Sequence, residues 1–119
     1  MRWVFLYIIL IIGLSSIPGE NISEFKWLSE DKLLHLIEYL IFGVLVTRAL
    51  AFRMVQQVRI FLIVLLIAGI FGALDETYQN LIPGRESSYV DWIADLIGAA
   101  LGSLTYLRWK LYRVKKAAD

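Results

Sequence analysis

Two segments of this 119-residue chain carry most of its acidic side chains and its one histidine. The first, DKLLHLIEY, places Asp31, His35 and Glu38 at spacings of four and three residues, which is one face of a helix. A histidine among carboxylates is an arrangement that proteins use to transfer protons or to hold a ligand. The candidates for acid–base chemistry are therefore His35 and Glu38, together with Glu76 and Asp91 from the second segment.

The second segment, LDETYQNLIPGRESSYVDWIAD, runs from Leu74 to Asp95 and holds five carboxylates and one arginine. Its IPGR sequence predicts a turn that presents Arg85, because proline fixes φ and glycine gives the backbone freedom. The SSYVD sequence then predicts the start of a helix, with Ser88 and Asp91 in a capping-box relation. A guanidinium group binds anionic head groups bidentately, which makes Arg85 a candidate binding residue.

The polar residues of the two segments together form the predicted ligand-binding set. Its members are Asp31, Lys32, His35, Tyr39, Asp75, Glu76, Gln79, Arg85, Ser88, Asp91 and Asp95. These oxygen-rich side chains suit Mg, Ca or Mn better than structural zinc, so a divalent cation is a possible cofactor. Their spacing is not diagnostic of any metal. No known nucleophile motif, HExxH pair or Gly-rich phosphate loop is present, and the absence of cysteine excludes thiolate chemistry.

The chain that must position these residues is 59% hydrophobic, and its mean hydropathy of +0.66 is typical of membrane proteins. Four apolar stretches occupy residues 3–17, 33–51, 60–74 and 90–107. They lie near the lower end of the length that spans about 30 Å of hydrocarbon. A chain this small could not bury four apolar helices in a soluble fold. We therefore predict an all-α, integral membrane four-helix bundle that forms a single domain over residues 1–119.

Two short regions leave alternatives open. The first apolar stretch follows Met1 and Arg2 in the manner of a signal peptide, but its cleavage signature is poor and Pro18 is better explained as a helix stop. In the following GENISEFKWLSEDK segment, Phe25 and Trp27 suggest a short helix in the head-group layer, and a plain loop is the alternative.

Basic residues are distributed unevenly between the two sides of the predicted bundle. With four spans, the two termini and the loop between the second and third spans lie on one side of the membrane. The basic residues on the other side are Lys26, Lys32 and Arg85. Short loops rich in Lys and Arg stay in the cytoplasm, so both termini are predicted to be cytoplasmic. The basic residues on the side of the termini are Arg2, Arg48, Arg53, Arg59, Arg108, Lys110, Arg113, Lys115 and Lys116. The polar site then faces outward from the cytoplasmic membrane.

Small residues accompany the acidic ones along the last two helices. Gly98 and Gly102 share a face of the fourth helix with Asp91 and Asp95, and two glycines share a face of the third with Glu76. Small residues allow transmembrane helices to approach closely. The carboxylates are therefore predicted to face a common cavity inside the bundle.

Together, DKLLHLIEYLIFG and DETYQNLIPGRESSYVDWIADLIGAALG resemble the VanZ-like family of small bacterial membrane proteins. The resemblance covers about residues 1 to 107, nearly the whole chain. Members of that family are associated with low-level resistance to the glycopeptide antibiotic teicoplanin, which implies a role at the cell envelope. Asp95 is a departure, because many relatives carry Asn there, and it adds an ionisable group to the site.

Three functions remain open on the sequence. The site could bind or handle a cell-envelope lipid, a peptidoglycan precursor or a glycopeptide antibiotic. It could instead belong to a membrane hydrolase or transferase in which His35 and the carboxylates act on an envelope lipid. A structural or assembly role, with ion pairs that stabilise the bundle, is the third. Membrane lipid is an expected partner in each, nothing indicates nucleic acid, and the oligomeric state is left open.

Overall fold

The computed structural model describes residues 1–19 and 32–118, and these residues contain four long or medium-length α-helices and no strand. The prediction of an all-α fold is confirmed. The segment with Phe25 and Trp27, and the candidate residue Asp31, lie outside the described residues. The helices are α1 (Arg2–Ser15), α2 (Lys32–Ala51), α3 (Gln57–Gln79) and α4 (Tyr89–Ala118).

Helices α2, α3 and α4 are each long and apolar enough to cross a membrane, so this is a membrane protein. Helix α1 is apolar but has 14 residues, about 21 Å at 1.5 Å per residue, which is shorter than the hydrocarbon core. Helices α3 and α4 continue past the predicted spans 60–74 and 90–107. Their polar ends are rich in Glu, Gln, Lys and Arg, which are good helix formers, so the helices outlast their apolar stretches.

Hydrogen bonds stabilise the helix ends and the turn between the last two helices. Beyond the end of α1, the Ser16 hydroxyl donates to the Ile12 carbonyl at 2.6 Å. At the end of α2, the Lys110 ammonium donates to the Ala51 carbonyl at 2.9 Å, which places a positive charge at the negative end of the helix dipole. The predicted IPGR turn is confirmed: the Arg85 N–H donates to a carbonyl three residues back, and Gly84 has a φ of 74°.

Helices α2 and α4 run in the same direction, and their backbones approach each other closely at glycine positions. A Cβ atom added at Gly98 would collide with the Leu36 carbonyl oxygen, and one added at Gly102 would collide with the Leu40 carbonyl oxygen. The predicted close approach along this glycine face is therefore confirmed. Helix α3 runs in the opposite direction and packs against α4, while α1 packs against α2 and α3.

A buried apolar core lies beside the polar residues. The rings of Tyr39 and Phe42 are 5.6 Å apart, and those of Phe42 and Phe71 are stacked at 5.5 Å. Tyr39 comes one helical turn after His35, so this aromatic group separates the polar site from the rest of the core. The core residues are Ile11, Tyr39, Phe42, Val46, Ile60, Val64, Ala68, Ala99 and Leu107.

The two ends of the bundle differ in chemistry. At one end, Met1 lies with Arg48 and Arg53 around a common cavity, and the basic extension of α4 projects from the same end. At the other end, the Ser16 and Tyr78 hydroxyls are 2.9 Å apart, so α1 and α3 finish together. Helices α2 and α4 begin at that second end, which is where the acidic residues collect.

Candidate functional site

The start of α2, the end of α3 and the start of α4 together bury a set of polar side chains, here called the polar cluster. Apolar neighbours on each helix pack against lipid or the core, so helical periodicity turns the polar positions toward one another. The members of the polar cluster are His35, Glu38, Asp75, Glu76, Gln79, Asp91 and Asp95, and each is less than 9% exposed.

His35 and Asp95 form a close side-chain contact in the polar cluster. Nδ1 of His35 lies 2.9 Å from Oδ1 of Asp95, and the Asp95 side chain is fully buried. The ring N–H donates in this bond, because an ionised carboxylate can only accept. The other Asp95 oxygen, Oδ2, lies 2.9 Å from where a Cβ would stand at Gly72. The missing side chain at Gly72 therefore gives the Asp95 carboxylate its space.

Glu76 connects α3 to the beginning of α4. Its Oε2 accepts a hydrogen bond from the Ser88 backbone N–H at 2.8 Å. The Ser88 hydroxyl accepts from the Val90 N–H at 3.2 Å, which confirms Ser88 as the cap of α4. The predicted capping box also required the Asp91 carboxylate to accept from the Ser88 N–H, and this part of the prediction is wrong. Glu76 accepts from that N–H instead, because the end of α3 lies against this turn. The free Glu76 oxygen, Oε1, is 3.8 Å from Nε2 of His35.

On the side of α1, Asp75 and Gln79 form a smaller hydrogen-bonded group. Nε2 of Gln79 donates to Oδ2 of Asp75 at 3.3 Å and to the Ser15 hydroxyl at 3.4 Å. Ser15 is buried and belongs to this group, but it was not among the predicted site residues. The signal that could have found it is its place one turn after Ile11, on the single buried face of α1.

A groove of about 250 Å³ opens between α1 and α3 beside this group. Its walls are Ile12 from α1 and the side chains Phe71, Leu74 and Tyr78 from α3. The Asp75 carboxylate also lines it, so the groove and the polar cluster share a residue. An apolar groove that meets a buried carboxylate suits a molecule with an apolar and a polar part.

The remaining predicted site residues have different surroundings. Lys32 is exposed at the start of α2, outside the buried cluster. Arg85 is half-buried in the turn, and its guanidinium lies close enough to Glu38 and Asp75 for a favourable Coulomb interaction. Tyr39 is fully buried, and its hydroxyl has no hydrogen-bond partner among residues 1–19 and 32–118. The structure thus brings most of the predicted set together and leaves Lys32 apart.

Acceptor atoms outnumber donors in the polar cluster. The cluster holds five carboxylates, and among the described residues His35 and the neighbouring Arg85 help to balance their charge. Buried acceptor atoms are normally paired with a donor or a cation. Within the described ranges, the buried carboxylate oxygens without a hydrogen-bond partner are Oε1 of Glu38, Oε1 of Glu76, Oδ1 of Asp91 and Oδ2 of Asp95.

Three members of the polar cluster have the geometry to hold a metal ion. One donor atom each from His35, Glu76 and Asp95 lies within 4.8 Å of the others, and all three residues are buried. They come from α2, α3 and α4, so a shared ion would connect the three long helices. One imidazole with carboxylates is a mixed nitrogen and oxygen donor set.

Sequence reasoning also missed hydrogen bonds between helices that hold the site in place. The Trp92 indole N–H donates to the Gly69 carbonyl at 2.8 Å, which fixes α4 against α3. The Tyr7 hydroxyl donates to the Glu38 carbonyl at 3.1 Å, which attaches α1 to α2. Trp92 lies near a span end, where aromatic residues are common at membrane interfaces, so its sequence position does not reveal this specific partner. Tyr7 lies in the middle of α1, and nothing in its spacing indicates a partner on α2.

The model of the VanZ/LLP1 family matches residues 4–111 of the chain. No curated protein and no solved structure matches the chain. The matched region contains the whole polar cluster, the groove between α1 and α3, and the glycine contact between α2 and α4. The chain therefore belongs to the VanZ/LLP1 family of proteins, as its paired polar segments predicted.

Proposed function

We propose that this protein binds an amphipathic molecule of the bacterial cell envelope: a lipid, a peptidoglycan precursor or a glycopeptide antibiotic. The apolar part would occupy the groove between α1 and α3, and the polar part would reach the polar cluster. The single observation that carries this proposal is Asp75, which lines the groove and belongs to the cluster. Such a molecule could enter sideways from the membrane, because the groove walls are apolar.

The charge distribution supports a site on the outer side of the cytoplasmic membrane. The polar cluster lies at the end of the bundle opposite Arg48, Arg53 and the basic extension of α4. Basic residues are retained on the cytoplasmic side of membrane proteins. Envelope precursors and glycopeptides act outside that membrane, and the teicoplanin association implied by the family resemblance agrees with this side.

Lipid binding can be tested with a pair of matched tryptophan substitutions. Ile12→Trp fills the groove, whereas Ile9→Trp places the same side chain on the exposed face of the same helix. We expect a photo-crosslinkable envelope lipid to label the wild type and Ile9→Trp, and labelling of Ile12→Trp to fall about tenfold, a loss of about 1.4 kcal/mol. An unlabelled wild type, or equal labelling of the two variants, would contradict the proposal.

The polar end of the site can be tested in cells. Arg85→Lys keeps the charge but removes the bidentate guanidinium, and His35→Ala removes the ring. We expect both variants to accumulate in the membrane near normally, yet to lose any raised glycopeptide tolerance that the wild type confers. If they fail to accumulate, with Arg85→Lys nearly as defective as Arg85→Ala, the polar cluster serves the stability of the bundle instead.

Catalysis is the second candidate, and the contact between His35 and Asp95 favours it. A carboxylate bonded to Nδ1 orients the ring and leaves Nε2 to accept a proton, as in a general base. A membrane hydrolase or transferase acting on an envelope lipid would use this pair. The purified protein should then convert such a lipid at a rate that His35→Ala abolishes. Binding without turnover would leave only the recognition function.

A further inference from the structure

We propose that the polar cluster contains a site for a divalent cation, in which Nε2 of His35 and Oε1 of Glu76 are direct ligands and Asp95 orients the histidine. The cation would share the polar cluster with the proposed envelope molecule. Its binding is measured without any lipid, so the two proposals can fail separately.

The distance between the two ligand atoms supports this assignment. Nε2 of His35 and Oε1 of Glu76 are 3.8 Å apart, too far for a hydrogen bond. Two ligands that each lie about 2.1 Å from one ion can be at most about 4.2 Å apart, so this separation fits a shared cation. Glu76 is 7% exposed, and its Oε1 has no donor among the described residues.

The second atom of each ligand is already held by the protein. Nδ1 of His35 is bonded to Asp95, which leaves Nε2 as the nitrogen available to an ion. Oε2 of Glu76 accepts the Ser88 N–H, which leaves Oε1 available. Metal-binding histidines and carboxylates are commonly fixed in this way by outer hydrogen bonds, which set both their orientation and the ring tautomer.

Asp91 is a further acceptor in the polar cluster. It is buried, its Oδ1 lacks a donor among the residues described, and it interacts electrostatically with both His35 and Glu76. A cation at this position would also balance the excess of carboxylates in the polar cluster. A donor set of carboxylate oxygens and a single imidazole suits Mn²⁺, which accepts both donor types. It differs from the cysteine-containing donor sets that are typical of structural zinc.

Titration calorimetry of the purified protein in detergent tests the site, with Mn²⁺, Mg²⁺ and Zn²⁺ each added alone. We expect Mn²⁺ to bind, Glu76→Gln to weaken binding about 100-fold, and Asp95→Asn to weaken it 10- to 100-fold. The matched control is Glu38→Gln, which removes one carboxylate of the same cluster without removing a ligand. Glu38→Gln should weaken Mn²⁺ binding by less than about tenfold, because it changes only the electrostatic potential at the cation.

A spectroscopic measurement on the wild type keeps the test independent of whether the variants fold. His35 is the one histidine of the chain, so any imidazole nitrogen coupling in the pulsed EPR spectrum of bound Mn²⁺ must come from it once an affinity tag is removed. Nitrogen coupling supports the site. Three outcomes would overturn it: no binding of any of the three cations, bound Mn²⁺ without nitrogen coupling, or equal effects of Glu38→Gln and Glu76→Gln.

Discussion

Each buried carboxylate of the polar cluster is held differently by its neighbours. Asp95 faces a histidine on one side and the backbone at Gly72 on the other, whereas Glu76 receives a backbone N–H. A buried charge without compensation costs several kcal/mol, so these contacts determine which acids the fold can tolerate. The free oxygens of the same residues are the ones that a ligand or cation would use.

Gly72 provides a direct test of the space around Asp95. In Gly72→Ala the new Cβ would lie 2.9 Å from Oδ2 of Asp95 and 3.1 Å from a Trp92 ring carbon. We expect a loss of about 1–3 kcal/mol in unfolding free energy, because the carboxylate must move away from His35. The matched control is Gly69→Ala, whose nearest contact would be an ordinary 3.5 Å from Leu96.

The control variant should unfold at the same denaturant concentration as the wild type or slightly higher, because alanine is the better helix former by about 1 kcal/mol. Reversible unfolding in mixed micelles measures both variants. Equal unfolding free energies of Gly69→Ala and Gly72→Ala would mean that the Asp95 side chain can shift without a loss of stability. The position of its carboxylate would then not depend on Gly72.

At the scale of whole helices, the contact between α2 and α4 determines where the polar cluster is built. The backbones meet through Gly98 and Gly102, and the Thr47 hydroxyl donates to the Ser103 hydroxyl at 2.8 Å further along the same interface. Close backbone approach of this kind allows the van der Waals packing that helps to hold helices together in lipid, where the hydrophobic effect contributes little. His35 and Asp95 meet because these two helices meet.

Enlarging either glycine should separate the two helices. We expect Gly98→Leu or Gly102→Leu to destabilise the protein by about 3 kcal/mol or more, because the side chain would collide with backbone carbonyls. The amount of folded protein in membranes and its melting temperature in detergent report the effect. Thr105→Leu is the control, since it adds bulk to an exposed position of the same helix. Normal accumulation of both glycine variants would place that face toward lipid.

Sequence periodicity could predict which face of each helix is polar, but not which side chains pair. The spacing of Gly98 and Gly102 predicted a close contact because small residues have few other uses in a transmembrane helix. The pairing of His35 with Asp95 spans 60 positions and depends on the relative rotation of two helices, which periodicity does not specify. The contact of Glu76 with the Ser88 N–H escaped prediction for the same reason. Asp91 is closer to Ser88 in the sequence, so it was the predicted acceptor of the Ser88 N–H.

For the molecule as a whole, the two ends of the bundle carry opposite chemistry. Acidic residues collect where α1 and α3 finish, and basic residues surround the other end and extend along α4 to Lys116. Attraction of basic segments to anionic lipid is worth about 1 kcal/mol per residue near the surface, so we expect the basic end to lie at the cytoplasmic leaflet. The all-helical membrane fold was predictable from composition and periodicity. The short length of α1 and the extension of α4 were not, because helices do not end where hydropathy changes.

Reporter fusions test the orientation. After Lys116, a reporter enzyme that works only in the cytoplasm should be active. Near Glu86, a reporter enzyme that works only outside the cytoplasm should be active. The nine basic residues on the side of the termini, against three on the other, are the reason for this expectation. The reverse pattern of activities would place the polar cluster inside the cell and would remove the basis for an envelope ligand.

The unequal packing of the helices also has a kinetic consequence. Only Ile11 and Ser15 of α1 are buried, whereas α2 and α4 contact each other through their backbones. We expect α1 to tilt on the microsecond timescale while α2 and α4 move together. Spin labels should therefore show a broad distance distribution between α1 and α3, and a narrow one between α2 and α4. The groove would then open and close beside a fixed His35–Asp95 pair, so the residence time of an occupant would depend on the motion of α1.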